Sequence, residues 1–493
     1  MNRFLIRNHD QPTEGDADSI TKGGWLLVGA LGAGMRALAE MLIDAGELVI
    51  GTDHQLAGDD CLLPALFDHH PIQLFRPDQR EQIFAQSPVQ AVYSMAVPEK
   101  SPLLQECRAR GMSVFPLPQT LNQILGRRNQ LCIAGTHGKT TTSGMTYTIL
   151  AHAACHPSAF IGGIKSPHGR SGVLASGSVA VVESCEYRQS FLHLTPTTVV
   201  LTGIESDHFD YFLSQADCDQ TFNDFVDRLP PDGKLIFNDD CARSAAIAAT
   251  SRRQTISVSL NRDSDWNAVP LKTCSKRDGS PIFGQTFLLR NRAHEVGVVQ
   301  LQVPGSHNRF NAVAAIAAAV TSGVAVDAAI QGVATFSGIH RRFEHRGHLF
   351  GIDWIDDYAH HPTAIRSTLE TVRSIFPARR LIAVFEPHQH SRLTALFGDF
   401  QSALLLADEC LILPVLPARE SASRADCSRL SGKLVRSISE SGRRAFLMAN
   451  LDQVLGRLDH SGRPGDVVIT MGAGRTHQIH DEIHRRLQRN SAA

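Results

Sequence analysis

The sequence predicts an α/β protein of three domains. These are a Rossmann-like N-terminal domain, a central P-loop ATPase-type domain with a mainly parallel sheet, and a C-terminal Rossmann-like α/β domain. Three observations carry this. The chain has 493 residues, which at roughly 100–200 residues per domain is room for about three. Short apolar, β-branched runs alternate with helical patterns along its length, as in βαβ units. Glycine-rich turns follow two of those runs directly, after Val28 and after Ala134. Domain limits are expected at 1–125, 126–337 and 338–493.

The first domain opens with a strand at residues 25–28, then Gly29, Gly32 and Gly34, then helical spacing over 35–45. Strands are expected at 47–50, ending at Gly51-Thr52-Asp53, and at 89–93 and 113–115. In the second domain they fall at 131–134, 179–182 and 198–202, each running into polar residues. Val303-Pro304-Gly305 is a turn before an Ala-rich helix over 308–320, whose small side chains allow close packing. Residues 337–342 are short, polar and positively charged and read as a linker. Beyond them strands are expected at 354–355, 381–385, 409–413 and 467–470, separated by helices. The composition of residues 8–18 predicts disorder.

Bulk composition narrows the function classes. Hydrophobic residues make up 43% and charged residues 20%, with a net charge of -1. There is no basic field for nucleic acid, so an anionic ligand must be held by local groups. The ten cysteines form no CxxC pair, which argues against a disulfide framework or structural zinc and for reduced thiols in the cytoplasm. The first 22 residues lack a signal-type apolar core, and no apolar run reaches about 18 residues, so no membrane span is expected.

The sharpest motif is Gly135-Thr136-His137-Gly138-Lys139-Thr140-Thr141, between a strand and a helix. Glycines let backbone N–H groups reach phosphate oxygens, and a helix N-terminus adds unpaired donors. Lys139 reaches terminal phosphates and the Thr140 hydroxyl suits Mg2+. The first glycine of the usual loop is replaced by Ile133. Glu183 and Glu186 sit at the next strand's end, a usual place for Mg2+ ligands. Asp207, His208 and Asp210 follow another. Asn308 and Asn311 share a helix face, and capping by Ser306 or Asn308 is the plainer use of such residues. Arg341 and Arg342 are either a phosphate clamp or a solvated pair. Arg392 has the fork to grip a carboxylate. Asp357 to Thr363 reads as a capped helix start with Pro362 in its first turn. Asp53 ends a strand at a ribose-type position.

These runs resemble the Mur ligase family, and among its members the alanine-adding ligases. GTHGKTTT resembles the family's GT-x-GKT, and VPGSHNRFNAVAA its PG-x-HN-x-x-N helix. FSGIHRRF resembles F-x-G-x-x-RRF, DDYAHHPT resembles DDYGHHPT, and FEPHQHSR resembles FQPHRYTR. The turn at Gly29 resembles G-x-GG-x-GM. Departures are Cys185, Tyr187 and Arg188 in the E-A-D-E-S-D segment, Ala359 for glycine, Gln389 for arginine, and Arg475-Thr476 after MGAG.

The resemblance implies an ATP-dependent ligase that adds L-alanine to UDP-N-acetylmuramate through an acyl phosphate, with ATP and Mg2+. It implies metal ligands Thr140, Glu186 and His208, and an ATP site of Gly135 to Thr141, His307, Asn308, Asn311, Arg342 and Asp357, the last at the ribose. Lys139, Glu186, His208 and His360 are the expected catalytic groups. The sugar nucleotide and amino acid are expected at Gly29, Gly32, Gly34, Asp53, Arg341, Tyr358, His388 and Arg392. A monomer or weak homodimer is expected. Three alternatives stay open: a tripeptide-recycling ligase, a ligase for another amino acid, and an ATP-binding switch without catalysis.

Overall fold

In the computed structural model, residues 24–57, 72–163, 169–212, 214–271, 283–418 and 420–492 are described. The expectations for residues 1–22 lie outside them. By contact the chain falls into two compact units, one running to Arg128 with Gly172–Ala175 added, the other holding the rest.

The first unit is a five-stranded parallel sheet in the order Gln73–Phe75, Val49–Thr52, Gly24–Val28, Pro88–Tyr93, Ser113–Pro116. Its core includes Leu26, Ile50, Ile83, Ala91 and Leu104, all at most 3% exposed. The second strand begins two residues later than the hydrophobic pattern suggests. Parallel pairing of Leu27 with Gly51 and Val28 with Thr52 decides that register. The helix Ala33–Asp44 starts at Gly32. Glu40 is fully buried there and accepts the Gly172 N–H at 2.6 Å.

The second unit holds two sheets. The larger runs in the order His294–Leu301, Gln285–Asn291, Trp266–Leu271, Gln254–Ser259, Lys234–Asn238, Pro196–Leu201, Asn129–Ala134, Val179–Glu183, Ser158–Phe160. Pairing is parallel from Gln254–Ser259 inward and antiparallel between the three outer strands. Only the parallel part was expected. From Asn129–Ala134 the chain adds strands on one side, then crosses from Val179–Glu183 to Pro196–Leu201 on the other, a reversal of strand order that opens a crevice at the strands' carboxyl ends. The Ala-rich helix Ser306–Thr321 buries every residue from Phe310 to Ala319 and packs beside helix Lys139–His152.

The smaller sheet runs Glu344–Leu349, Ile352–Asp357, Val467–Met471, Leu381–Phe385, Glu409–Ile412, Arg444–Leu447, antiparallel only at the first pair. Its two faces bury Ile355, Phe385 and Phe400 on one side and Trp354, Val384 and Leu411 on the other. No helix among the described residues is long and apolar enough to cross a membrane. The described cysteines are free thiols.

Part of the stretch read as a linker is buried. Ile339 is 3% exposed and belongs to the large sheet's core, close against Gly144 of helix Lys139–His152. Ile339→Ala is therefore expected to cost about 2–5 kcal/mol, the range for a buried Ile-to-Ala truncation. Urea denaturation followed by fluorescence checks this; a cost below about 0.5 kcal/mol is what a surface position gives.

Candidate active site

The crevice is a cleft of about 600 Å³ between the carboxyl ends of the two sheets of the second unit. Its floor is the phosphate loop. Asn129–Ala134 carries Ile133, fully buried, into the turn, so the position of the missing glycine lies inside the strand. The chain turns at Gly135 and Gly138, both at positive φ. A Cβ on Gly135 would lie 2.4 Å from Thr202 Oγ1, and one on Gly138 2.6 Å from Asn311 Oδ1. The Thr136 N–H donates to the Gly203 carbonyl at 2.8 Å, and the Glu205 N–H to Thr136 Oγ1 at 2.8 Å.

Lys139 opens the helix. Its ammonium donates to the Gly135 carbonyl and to both Glu186 oxygens, at 3.1 and 3.0 Å. Burial, the largest single influence, would lower its pKa, but the charge and hydrogen bond of Glu186 together with neighbouring Cys185 and Glu183 raise it. Burial would likewise raise Glu186; Lys139 and His208 override it and hold the carboxyl at about 2. His208 Nε2 lies 3.5 Å from Glu186 Oε1, while its Nδ1 is buried without a hydrogen-bond partner. Thr140 Oγ1 donates to Glu183 Oε1 at 2.8 Å and accepts from Arg342 at 3.0 Å. Cys185, Glu186 and His208 thus form one donor cluster.

His307, Asn308 and Asn311 also line the cleft. Neither Ser306 nor Asn308 caps the helix; Gly305 is the cap residue, and Asn308 instead donates to the Pro304 carbonyl at 2.7 Å. Burial pushes His307 down to about 4.

The opposite wall comes from the smaller sheet. Asp357 ends Ile352–Asp357 and accepts from the Ala359 N–H and the Thr368 hydroxyl at 3.0 and 2.9 Å. Burial raises its pKa to about 6 against the opposing charge of Arg342. Tyr358 stacks near both Arg341 and Arg342. His361 caps helix Pro362–Ile375, with Pro362 at its start as expected. His360 Nδ1 sits 2.9 Å from the Tyr358 carbonyl, so this nitrogen carries the hydrogen. Burial, then the Arg392 charge, keeps the ring neutral.

The two linker arginines part company. Arg342 reaches Thr140, whereas Arg341 is spent on Asp356 and the carbonyls of Gly472 and Gly474. Arg392 is 2% exposed and directs Nε and Nη2 to Asp207 Oδ1 at 2.8 and 2.6 Å, with His388 Nδ1 at 3.1 Å from Nη1. That ion pair holds Asp207 well below the carboxylate range despite burial. Two of the altered positions meet at Asp210: Tyr187 Oη donates to it at 3.2 Å and Gln389 Nε2 at 3.1 Å.

Sequence reasoning did not single out Glu205, Asp207, His361 or Thr363 as site residues. Acids around His208 were the available signal, but Thr363 lies 158 positions from Glu205 and Arg392 185 from Asp207. In the first unit Gly29, Gly32 and Gly34 form the turn and helix start. Asp53 is buried; its Oδ2 accepts from the Leu31 N–H of the turn at 3.1 Å, and its Oδ1 from the Gln55 N–H at 3.0 Å.

A glycine-threonine-lysine loop at a sheet's switch point, with carboxylates at the neighbouring strand ends, defines a nucleotide-phosphate-binding α/β protein. Comparison with known proteins narrows this. Residues 133–319 match the Mur ligase middle domain and residues 341–474 the Mur ligase glutamate ligase domain. A UDP-N-acetylmuramate–L-alanine ligase of Nitratidesulfovibrio vulgaris is 32% identical over 91% of this chain and 95% of its own. One from Saccharopolyspora erythraea is 33% identical over 95% and 94%. The crystal structure of a UDP-N-acetylmuramate-alanine ligase from Thermotoga maritima superposes with a TM-score of 0.78 at 22% identity, covering 95% of this chain and all of that one. A murein peptide ligase from Psychrobacter arcticus gives 0.70 at 23%, covering 94% and 98%. The chain belongs to the Mur ligase family.

Asp357 gives a pH signature. A carboxyl whose folded pKa is raised stabilises the fold below its unfolded value, near 3.8, and loses that contribution as pH rises through about 6. Asp357→Asn is neutral throughout. Its stability relative to wild type is expected to increase between pH 4 and pH 6.5 and then level off, as read from urea midpoints across that range.

Proposed function

We propose that the protein is an ATP-dependent ligase that adds L-alanine to UDP-N-acetylmuramate, the first peptide-stem step of peptidoglycan precursor synthesis. The observation carrying this is one cleft with Lys139 and Thr140 on its floor and Asp357 to His361 on its facing wall. Relatives that bear this activity in their names match over nearly the whole chain.

The residues fit ATP and Mg2+. The loop leaves room only for hydrogen at Gly135 and Gly138, which brings backbone N–H groups to phosphate distance. Thr140, Glu186 and His208 would hold Mg2+, with Glu183 beside Thr140; His208 Nδ1 is a buried nitrogen in want of a partner. When bound, the ion neutralises phosphate charge during transfer.

In this reading the muramate carboxylate takes the γ-phosphoryl group as an acyl phosphate, and the alanine amine then displaces phosphate. Lys139 holds the terminal phosphates, and Gly135 to Thr141 position them. His307, Asn308 and Asn311 form the base pocket, and Asp357 faces the ribose. Arg342, already at Thr140, steadies the phosphates. His360 is neutral, with its hydrogen on Nδ1, so Nε2 is open to accept a proton from the amine. Tyr358 lies beside it. Arg392 and His388 act by fixing Asp207, and Arg341 by fixing the Gly472–Gly474 turn. Gly29, Gly32 and Gly34 make the diphosphate turn of the sugar nucleotide, and Asp53 keeps its shape.

ADP release with UDP-N-acetylmuramate across an amino-acid panel tests the proposal. L-Alanine is expected to give the highest kcat/KM, with Gly and L-Ser within about 10–200-fold, the discrimination a single small group allows. Lys139→Ala is expected to abolish turnover while the circular dichroism stays unchanged. Substrate-independent ADP release would indicate a switch, and preference for a tripeptide a recycling ligase.

A further inference from the structure

A second donor cluster, sharing no residue with Cys185, Glu186 and His208, lines the same cleft of the second unit. His137 comes from the phosphate loop, Glu205 from the segment after Pro196–Leu201, and His361 from the cap of helix Pro362–Ile375. One ligand atom from each lies within 4.8 Å of the others. Glu205 Oε2 is 3.4 Å from His137 Nε2 and 3.6 Å from His361 Nδ1.

We propose that His137, Glu205 and His361 form a binding site for a divalent transition-metal ion of the zinc and cobalt class, distinct from the Mg2+ position.

The two distances to Glu205 are those of ligands around one ion. Metal–ligand bonds of about 2.1 Å in a tetrahedron put neighbouring donor atoms about 3.4 Å apart. Hydrogen bonding sets the tautomer. His361 Nε2 lies 3.3 Å from the Ser206 carbonyl, which only a ring N–H can satisfy, and Nδ1 accepts the Thr363 N–H at 3.4 Å. The Nδ1 lone pair, held only by that long contact, also lies 3.6 Å from the Glu205 carboxylate, and an ion between the two would take it over from the Thr363 N–H. Glu205, despite burial, is held at about 2 by its bonds to His137 and Thr363.

The surroundings also match a metal site. A ligating histidine ordinarily donates its other N–H to a backbone carbonyl, and a ligating carboxylate is itself hydrogen-bonded. Here the Ser206 carbonyl and the Thr363 hydroxyl, 2.6 Å from Glu205 Oε2, fill those places. Two imidazoles and one carboxylate favour zinc or cobalt over magnesium, which prefers oxygen. Three protein ligands leave a fourth position for water or another oxygen, as in open zinc sites. Glu205 is 40% exposed and His137 30%, so an ion can enter from the cleft; His361 is 6% exposed. Such an ion would tie the phosphate loop to the smaller sheet.

Co2+ titration without nucleotide, in excess Mg2+, tests this independently of ligase activity. The expected result is the visible absorption of four-coordinate Co2+, saturating at one equivalent and displaced by Zn2+. His361→Gln and Glu205→Gln should each weaken binding at least tenfold, and Cys185→Ser should leave it unchanged. No visible band overturns the proposal. So does a band with thiolate-to-cobalt charge transfer that Cys185→Ser removes, which would place the ion with Cys185 and His208. Should the variants misfold by circular dichroism, anomalous scattering from Zn2+-soaked wild-type crystals decides. A peak bonded to His137, Glu205 and His361 supports the site, and its absence there refutes it.

Discussion

The cleft is organised around one buried ion pair, Lys139 with Glu186. An ammonium taken out of water must be paired, or it loses its charge. Here the partner is presented by the strand Val179–Glu183, adjacent to the one that launches the phosphate loop. The lysine is thereby kept charged and aimed at the helix start before any nucleotide arrives. The same carboxylate faces His208, so Lys139 and His208 are coupled through Glu186.

Around that pair, side chains join the two sheets of the second unit. Asp207 with Arg392, Asp210 with Gln389, Glu205 with Thr363, and Thr140 with Arg342 all connect residues far apart in sequence. Positions where this chain departs from the usual family residues take part. Tyr187 and Gln389 converge on Asp210, so a tyrosine and a glutamine meet one acid where the family pattern has a serine and an arginine. Ala359 at the usual glycine still gives its N–H to Asp357.

The sequence made the parallel strands legible because each is a continuous apolar run with a turn behind it, as at Leu381–Phe385 and Val467–Met471. Three-residue strands such as Gln73–Phe75 and Ser158–Phe160 are too short to show a period. The outer antiparallel strands escaped because His294–Leu301 is half exposed and mixed in character, so its pattern is weak. Within the stretch read as a linker, Ile339 is buried, and that burial depends on a space beside Gly144 that no local pattern reveals. At the site, the contiguous loop from Gly135 to Thr141 was readable. Which arginine reaches Thr140, and that Arg392 meets Asp207, are consequences of packing between distant segments.

Nucleotide binding without magnesium tests the central pair most directly. Glu186 competes with phosphate for Lys139, so Glu186→Gln should bind a non-hydrolysable ATP analogue more tightly than wild type when measured by calorimetry in a chelator, while Lys139→Ala binds it more weakly than either. Weaker binding by Glu186→Gln under those conditions would contradict the account, because it would mean that the carboxylate does not hold the lysine against the nucleotide.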